Sequence, residues 1–377
     1  MNVLCVVSIL LTAPPSTPVL DALVSNSAAK SSAAQALVAR LETIAEAAKT
    51  ERKSPRQRYV NVKAWKSVSE VLQPAIRAID PTVGESSTSQ LHELLHGAAT
   101  MLVRDDLYEV QAGLTFLDLG IQPLERLRFS SAEKYKTAIA ERIPVVENKT
   151  REALVRWLSM HGGRTSFEAL LSVAMSDKLA ALRALAVQGI ARCDAGYCPV
   201  EAKTVSKRME LETHGPTRSH WVALAGRLRM AEVFAWCDGE LGGGALDMGC
   251  RTAFIRFADE RAFTALYSWL EAYEVNSASD SSELRFAAAL ATLGRFSREA
   301  YVKGRILKLV DRALSRRKRA EKELGAIAGM LGFAADKERA LRSARKHRRT
   351  YALRSKRNPK LSLVVDALDT TIQMLSR

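Results

Sequence analysis

Apolar residues recur at steps of three and four along most of this chain, and that spacing constrains the fold more than any other feature. In residues 31–50 the positions on one helix face are Leu37, Leu41, Ile44 and Ala48. Segments of about 10–18 residues with this spacing alternate with short polar loops. Ala and Leu are abundant, while aromatic residues make up only 6% of the chain, a composition that favours helices. The sequence therefore predicts an all-α fold of antiparallel helix pairs stacked side by side.

Two segments carry the spacing of a capping box, in which Ser or Thr is followed three residues later by Glu. They are Ser130 with Glu133, and Thr165 with Glu168. The pattern predicts a helix start at each hydroxyl residue, with the hydroxyl oxygen accepting a bond from a backbone N–H group. Residues 219–237 keep helical spacing throughout and are expected to form one helix.

A Leu-Arg step followed by small residues recurs in three segments. The copies are Leu182-Arg183 followed by Ala184 and Ala186, Leu228-Arg229 followed by Ala231, and Leu284-Arg285 followed by Ala287, Ala288, Leu293 and Gly294. Over residues 165–300 this pattern resembles the inner helices of HEAT-like repeats. The resemblance implies an α-solenoid whose concave face binds a partner, and it implies no catalytic chemistry. An Ala-rich helix bundle is the alternative arrangement.

The N-terminal segment has the character of a secretory signal. Residues Val3 to Leu11 are uncharged, and small residues and prolines follow them. This run has the length of a signal-peptide core and is too short to span a bilayer. We therefore divide the chain into a signal peptide and linker (1–26), an N-terminal helical region (27–143), HEAT-like repeats (144–300) and basic C-terminal helices (301–377). The protein is expected to be exported, either periplasmic or secreted. The alternative is a cytoplasmic protein with a buried N-terminal segment, and no transmembrane segment is predicted.

The cysteines support the same compartment. Besides Cys5 in the apolar leader, they form two local pairs, Cys193 with Cys198 and Cys237 with Cys250. Each pair brackets a turn-rich stretch that follows a helical segment, so two loop-closing disulfides are expected in an oxidising compartment. The alternatives are free thiols and a four-cysteine zinc site, although the spacings differ from the short C-x-x-C hairpins that bind zinc.

The net charge of +15 is concentrated in one segment. Residues 301–360 hold 20 Lys and Arg against 5 Asp and Glu, so the rest of the chain sums to zero. The predicted polyanion-binding residues are Arg316, Arg317, Lys318, Arg319, Arg345, Lys346, Arg348 and Arg349. The expected partner is a protein or an anionic polymer or lipid surface, with nucleic acid as the partner if the protein is cytoplasmic. A solvated helical face with no specific partner is the competing interpretation.

The motif H-E-x-x-H occurs as His92-Glu93-Leu94-Leu95-His96. On a helix both histidines could bind one zinc ion, with Glu93 as the general base. The motif resembles that of gluzincin peptidases, and Glu109 is the best local candidate for a third ligand. The competing interpretation is a structural helix, whose apolar stripe is Leu91, Leu94, Leu95, Ala98 and Leu102. We favour the structural helix and keep zinc as the alternative cofactor.

These patterns favour a binding protein over an enzyme. The sequence contains no G-x-x-x-x-G-K-[ST], G-x-G-x-x-G or G-x-S-x-G motif. We predict a non-catalytic binding or scaffold protein of the cell envelope or secreted space, without a cofactor. The alternatives are a zinc metallopeptidase that uses the H-E-x-x-H helix, and a cytoplasmic helical-repeat protein that binds nucleic acid.

Overall fold

The computed structural model confirms the all-α fold class. It describes residues 17–51, 63–192, 200–241, 244–257, 259–276, 304–315, 321–333 and 336–376. These ranges contain helices and no strands. The chain divides into two compact units, residues 1–199 and 200–377. In the described ranges, no helix has both the length and the apolar character needed to cross a membrane.

The first unit is built from helices, and several of these are joined by short turns. Its described helices are α1 (Pro18–Ser25), α2 (Ser32–Thr50), α3 (Lys63–Arg77), α4 (Ser89–Thr100), α5 (Leu107–Arg126), α6 (Ser131–Arg142), α7 (Asn148–Leu158), α8 (Arg164–Ser176) and α9 (Ala180–Ile190). Short 3-10 turns lie at Ser27–Lys30, Gly84–Thr88, Met101–Val103 and Ile143–Val145.

Helix α2 follows the predicted pattern. The Ser31 hydroxyl oxygen accepts a bond of 3.2 Å from the Ala34 N–H and so satisfies one free donor of the first turn. The buried residues of α2 are Ala34, Leu37, Leu41, Ile44, Ala45 and Ala48. This face contains every position predicted from the spacing, and it packs against α4 and α5.

Residues 17–26, part of the predicted signal peptide and linker (1–26), include helix α1. Leu20 and Leu23 of α1 are buried, and the helix packs against α4 and α6. The Glu141 carboxylate of α6 accepts bonds from the Val19 and Leu20 N–H groups at 3.0 and 3.1 Å. A carboxylate at this position satisfies free N–H groups and complements the positive end of the helix dipole. Residues 1–16 of the predicted leader lie outside the described residues.

The second unit contains the disulfide and the basic segment. Its described helices are α10 (Ala202–Leu211), α11 (Gly215–Arg227), α12 (Val233–Trp236), α13 (Asp247–Phe257), α14 (Glu260–Asn276), α15 (Arg305–Ser315), α16 (Glu321–Gly329), α17 (Lys337–Ser355) and α18 (Ser362–Ser376). Short 3-10 turns lie at Met330–Phe333 and Pro359–Leu361.

Helices α11 and α13 approach each other more closely than helices with ordinary side chains can. A Cβ atom at Gly226 would overlap the backbone of Ala253, and one at Gly249 would overlap the Ser219 carbonyl group. The Ser219 hydroxyl oxygen accepts a bond of 2.8 Å from the Gly249 N–H. The two glycines therefore determine the distance between these helices.

The predicted extent of one helix is wrong. The helix expected over 219–237 ends at Arg227, because Arg229 adopts a left-handed conformation with φ of 55°. The Leu228-Arg229 copy of the HEAT-like pattern consequently lies in a turn. The Leu182-Arg183 copy lies in α9, and the Leu284-Arg285 copy lies outside the described residues.

Neither predicted capping box forms. The Ser130 hydroxyl group donates to Glu85 at 3.1 Å and makes no bond to the first turn of α6. Helix α8 begins one residue before Thr165, after Gly163 with φ of 109°. Both helices exist close to the predicted positions, but tertiary contacts and a glycine define their ends.

Candidate functional site

The H-E-x-x-H motif lies on α4 with its histidines turned towards α6. All five residues of the predicted apolar stripe are buried. The His96 side chain is also buried, and its Nδ1 lies 2.5 Å from the His92 carbonyl oxygen. The His92 ring is stacked on Tyr135, with Nδ1 2.8 Å from the Tyr135 hydroxyl oxygen. Both rings thus have hydrogen-bond partners without a metal.

The surroundings of these two histidines keep them neutral. Burial lowers the pKa of His92 to about 4, and the positive charge of Lys134 and the neighbouring His96 add to the effect. Burial and Lys134 likewise lower the pKa of His96. A neutral imidazole is a metal ligand, so the pKa values alone do not separate the two interpretations of the motif.

The donor set around the motif does not fit a catalytic zinc ion. Glu109 lies in the first turn of α5, where its carboxylate is 3.9 Å from the Arg104 guanidinium. Glu93 is partly exposed on α4. Within the described ranges, no group of three His, Cys, Asp or Glu side chains is arranged to hold a metal ion. A catalytic zinc needs three protein ligands, and the structure brings only His92 and His96 together here.

A buried charge network, which the sequence patterns did not indicate, joins α5, α6 and the turn after α7. Lys136 of α6 is only 3% exposed. Its Nζ lies 2.9 Å from Glu125, 2.9 Å from Glu133 and 2.6 Å from the Gly162 carbonyl oxygen. This single ammonium group therefore satisfies acceptors from three segments of the chain.

His161 extends this network towards Asp118. Its Nδ1 lies 3.3 Å from Glu125, and its Nε2 lies 3.2 Å from Asp118. The ring is stacked on Trp157 with 3.8 Å between centroids. Burial lowers the pKa of His161, but the Asp118 and Glu125 carboxylates outweigh it and the pKa is raised. The two carboxylates therefore favour the imidazolium form of His161.

A groove of about 670 Å³ runs between α5 and α7 beside this network. Part of its polar lining is engaged internally: Arg156 pairs with Glu152 at 2.7 Å, and Trp157 Nε1 donates to the Leu114 carbonyl group at 2.9 Å. Asp118, which also lines the groove, faces His161. These contacts explain how α5, α6 and α7 are held together, and they assign no reaction to the groove.

One of the two predicted disulfides is confirmed. Cys237, directly after α12, is bonded to Cys250 of α13, with Cα atoms 5.6 Å apart and both side chains buried. The bond closes the glycine-rich stretch between the two helices. Cys5, Cys193 and Cys198 lie outside the described residues.

The basic segment is organised by helix α17. Its buried positions are Ala340, Ser343, Ala344, His347 and Tyr351. The exposed cations on the opposite side are Arg342, Arg345, Lys346, Arg349 and Lys356, the last directly after the helix. Because these positions recur at steps of three and four, the cations lie along one face.

Helix α17 is held in one rotation by its buried polar groups. Asp311 of α15 accepts bonds from the Ser343 hydroxyl group and lies 3.1 Å from His347 Nε2. The Tyr351 hydroxyl group donates to the Leu314 carbonyl oxygen at 2.7 Å. Burial raises the pKa of Asp311, but His347 and Ser343 outweigh it and the pKa is lowered. These bonds keep the cationic face of α17 turned to the solvent.

The structure separates the predicted polyanion-binding residues into three groups. Arg345, Lys346 and Arg349 are exposed on the cationic face. Arg348 instead forms a two-point ion pair with Asp369 of α18, at 2.8 and 3.2 Å. The remaining predicted cations, Arg316, Arg317, Lys318 and Arg319, lie outside the described residues.

The fold and this surface define an all-α protein with a cationic helical face. No protein-family model matches the chain, and no curated protein or solved structure matches it.

Proposed function

We propose that this protein is a non-catalytic binding or scaffold protein that holds a polyanionic partner on the cationic face of α17. The observation that carries the proposal is the alignment of Arg342, Arg345, Lys346 and Arg349 on one exposed face. We further propose that the helices form a stacked, repeat-like scaffold that presents this face.

The dimensions of the face suit an extended anionic partner. Arg342 and Lys356 are 14 residues apart, which corresponds to about 21 Å along a helix axis. Glu338 is the only acidic residue within α17. Multiple aligned cations attract an anionic surface or polymer by displacing its counterions, with little dependence on the partner's sequence.

The Cys237–Cys250 disulfide favours an oxidising compartment. There the available polyanions are anionic lipids and envelope polymers, in agreement with export. The cytoplasmic nucleic-acid alternative receives less support from α17, because its one aromatic side chain, Tyr351, is 1% exposed and cannot stack on bases.

The test is a triple variant, Arg345→Gln with Lys346→Gln and Arg349→Gln, titrated with heparin as a soluble polyanion at several salt concentrations. We expect weaker binding and a salt slope that is smaller by up to about three, roughly one for each lost contact. The three side chains are exposed, so the helical content should not change.

A matched control removes the same charge elsewhere, through Lys178→Gln, Lys203→Gln and Lys207→Gln at exposed positions. We expect this control to bind heparin almost as well as the unmodified protein. Equal losses in both variants would show that binding follows the net charge, and the assignment to α17 would then be wrong.

A further inference from the structure

We infer that the closed end of the α17–α18 hairpin docks on an anionic lipid bilayer, with Leu353 and Leu363 inserted among the head groups. This inference rests on the proposed function and names the polyanion as a membrane surface. The hairpin end comprises residues 353–363 and includes the turn between the two helices.

Two leucines at this end are turned outwards. Leu353 is 67% exposed and Leu363 is 53% exposed. Their close neighbours Tyr351 and Val364 are buried, so the hairpin has a core side and an outer side at this end. Leu353 follows Arg349 by four residues and precedes Lys356 by three, which places it on the cationic face.

The charged residues of the hairpin end itself have one sign, and the first carboxylate beyond it is Asp366, three residues after Leu363. Residues 353–363 contain Arg354, Lys356, Arg357 and Lys360, and they contain no Asp or Glu. Lys356, Arg357 and Lys360 are exposed. Exposed apolar side chains among cations match a bilayer interface, where phosphates lie next to acyl chains.

The apolar residues distinguish a bilayer from other polyanions. Nucleic acids and anionic polymers attract the cations but offer little apolar volume for two leucine side chains. A bilayer accommodates both groups, because each leucine leaves water while the cations remain at the phosphates.

The hairpin is already ordered for such docking. Arg348 bridges α17 to Asp369 of α18. Asn358 accepts a bond of 3.2 Å from the Lys360 N–H within the turn. A preformed end avoids the entropy loss that an unstructured segment has on binding.

The experiment is flotation of the full chain with two kinds of vesicle, phosphatidylcholine alone and phosphatidylcholine with roughly one-third phosphatidylglycerol. The test variant is Leu353→Ser with Leu363→Ser. Its matched control is Leu179→Ser with Leu211→Ser, which replaces two other exposed leucines. Each protein is also titrated with heparin and with duplex DNA.

We expect the unmodified protein to float only with the anionic vesicles. The test variant should partition at least about tenfold more weakly, because serine cannot replace the apolar leucine surface that enters the bilayer. Its heparin affinity should be unchanged. The control variant should behave like the unmodified protein.

The other outcomes separate the two proposals. If the protein binds heparin or DNA but not anionic vesicles, or if the test variant floats as well as the control, the membrane inference is overturned and the polyanion proposal stands. If the protein binds none of the anionic probes, both are overturned.

Discussion

His92 and His161 show how the same side chain acquires opposite properties in one helical unit. Burial beside the Tyr135 ring lowers the pKa of His92 to about 4, and the positive charge of Lys134 adds to this effect. His161 lies between Asp118 and Glu125, and these carboxylates raise its pKa despite its burial. The surroundings therefore favour the neutral form of His92 and the charged form of His161.

The two pKa shifts predict that the contributions of His92 and His161 to the free energy of unfolding change with pH in opposite directions. A raised pKa in the folded state stabilises the fold fully below the unfolded value of 6.5, and this contribution is lost as the pH rises through the folded pKa. A lowered pKa acts in reverse: the His92 contribution is present above pH 6.5 and is lost as the pH falls towards 4.

We therefore expect His161→Gln to reduce the free energy of unfolding more at pH 6 than at pH 9, and His92→Gln to reduce it more at pH 7 than at pH 4.5. The measurement is urea unfolding followed by circular dichroism at each pH. If the loss for His161→Gln did not change with pH, His161 would not be held as an imidazolium in the folded protein.

At the scale of residues, the sequence predicts which side chains share a helix face better than it predicts which side chains contact each other. The apolar stripe of α4 was correctly predicted, because positions three and four apart on one helix share a surface whatever surrounds it. The pairing of Lys136 with Glu125 and of His161 with Asp118 could not be predicted, since these residues come from separate segments. No spacing rule relates side chains that meet only through tertiary packing.

At the scale of elements, helix positions follow from the sequence while some helix ends do not. Residues 131–142 and 164–176 are helical as predicted. The end of α11 at Arg227 depends on the left-handed Arg229, a conformation that an arginine adopts rarely. Ser130 donates to Glu85 because that acceptor is brought near by the fold. Local propensity cannot anticipate either feature.

The contact between α11 and α13 gives a prediction for single glycines. Gly226→Ala should lower the free energy of unfolding by at least about 2 kcal/mol, because the new methyl group forces the helices apart. Gly325→Ala in α16 is the matched control. A Cβ atom there meets its nearest neighbour at 3.8 Å, so alanine should stabilise the helix by about 0.5–1 kcal/mol.

Urea unfolding of the two variants measures this difference. Similar stability of Gly226→Ala and Gly325→Ala would mean that α11 and α13 do not approach each other at Gly226. A large loss for Gly226→Ala alone would identify the pair of glycines as the determinant of this packing.

At the scale of the whole molecule, the charge is polarised along the chain. The excess of basic residues over 301–360 was evident from the sequence, since the number of charged residues in a segment does not depend on the fold. The exposed position of Leu353 among these cations was not, because it depends on which face of α17 packs against α15. If the proposed membrane docking takes place, a cationic face with apolar residues at one end would give the second unit a preferred orientation on the anionic surface.

The Cys237–Cys250 disulfide bears on the stability of the fold and on the proposed oxidising compartment. Cys237 and Cys250 are 13 residues apart, so their bond restricts the unfolded chain by about 3 kcal/mol of free energy. We expect Cys237→Ser with Cys250→Ser to lose about that much stability, and reductant to have the same effect on the unmodified protein. Reductant should not destabilise the double variant further if this bond alone is responsible.

The same bond tests export directly. Protein isolated from its own host under rapid alkylation should carry Cys237 and Cys250 in one disulfide-linked peptide pair, because an oxidising compartment maintains such bonds. Mass spectrometry of the digest, before and after reduction, measures this. If both thiols were alkylated without reduction, the protein would reside in a reducing compartment, and nucleic acid would replace the envelope as the source of its polyanion.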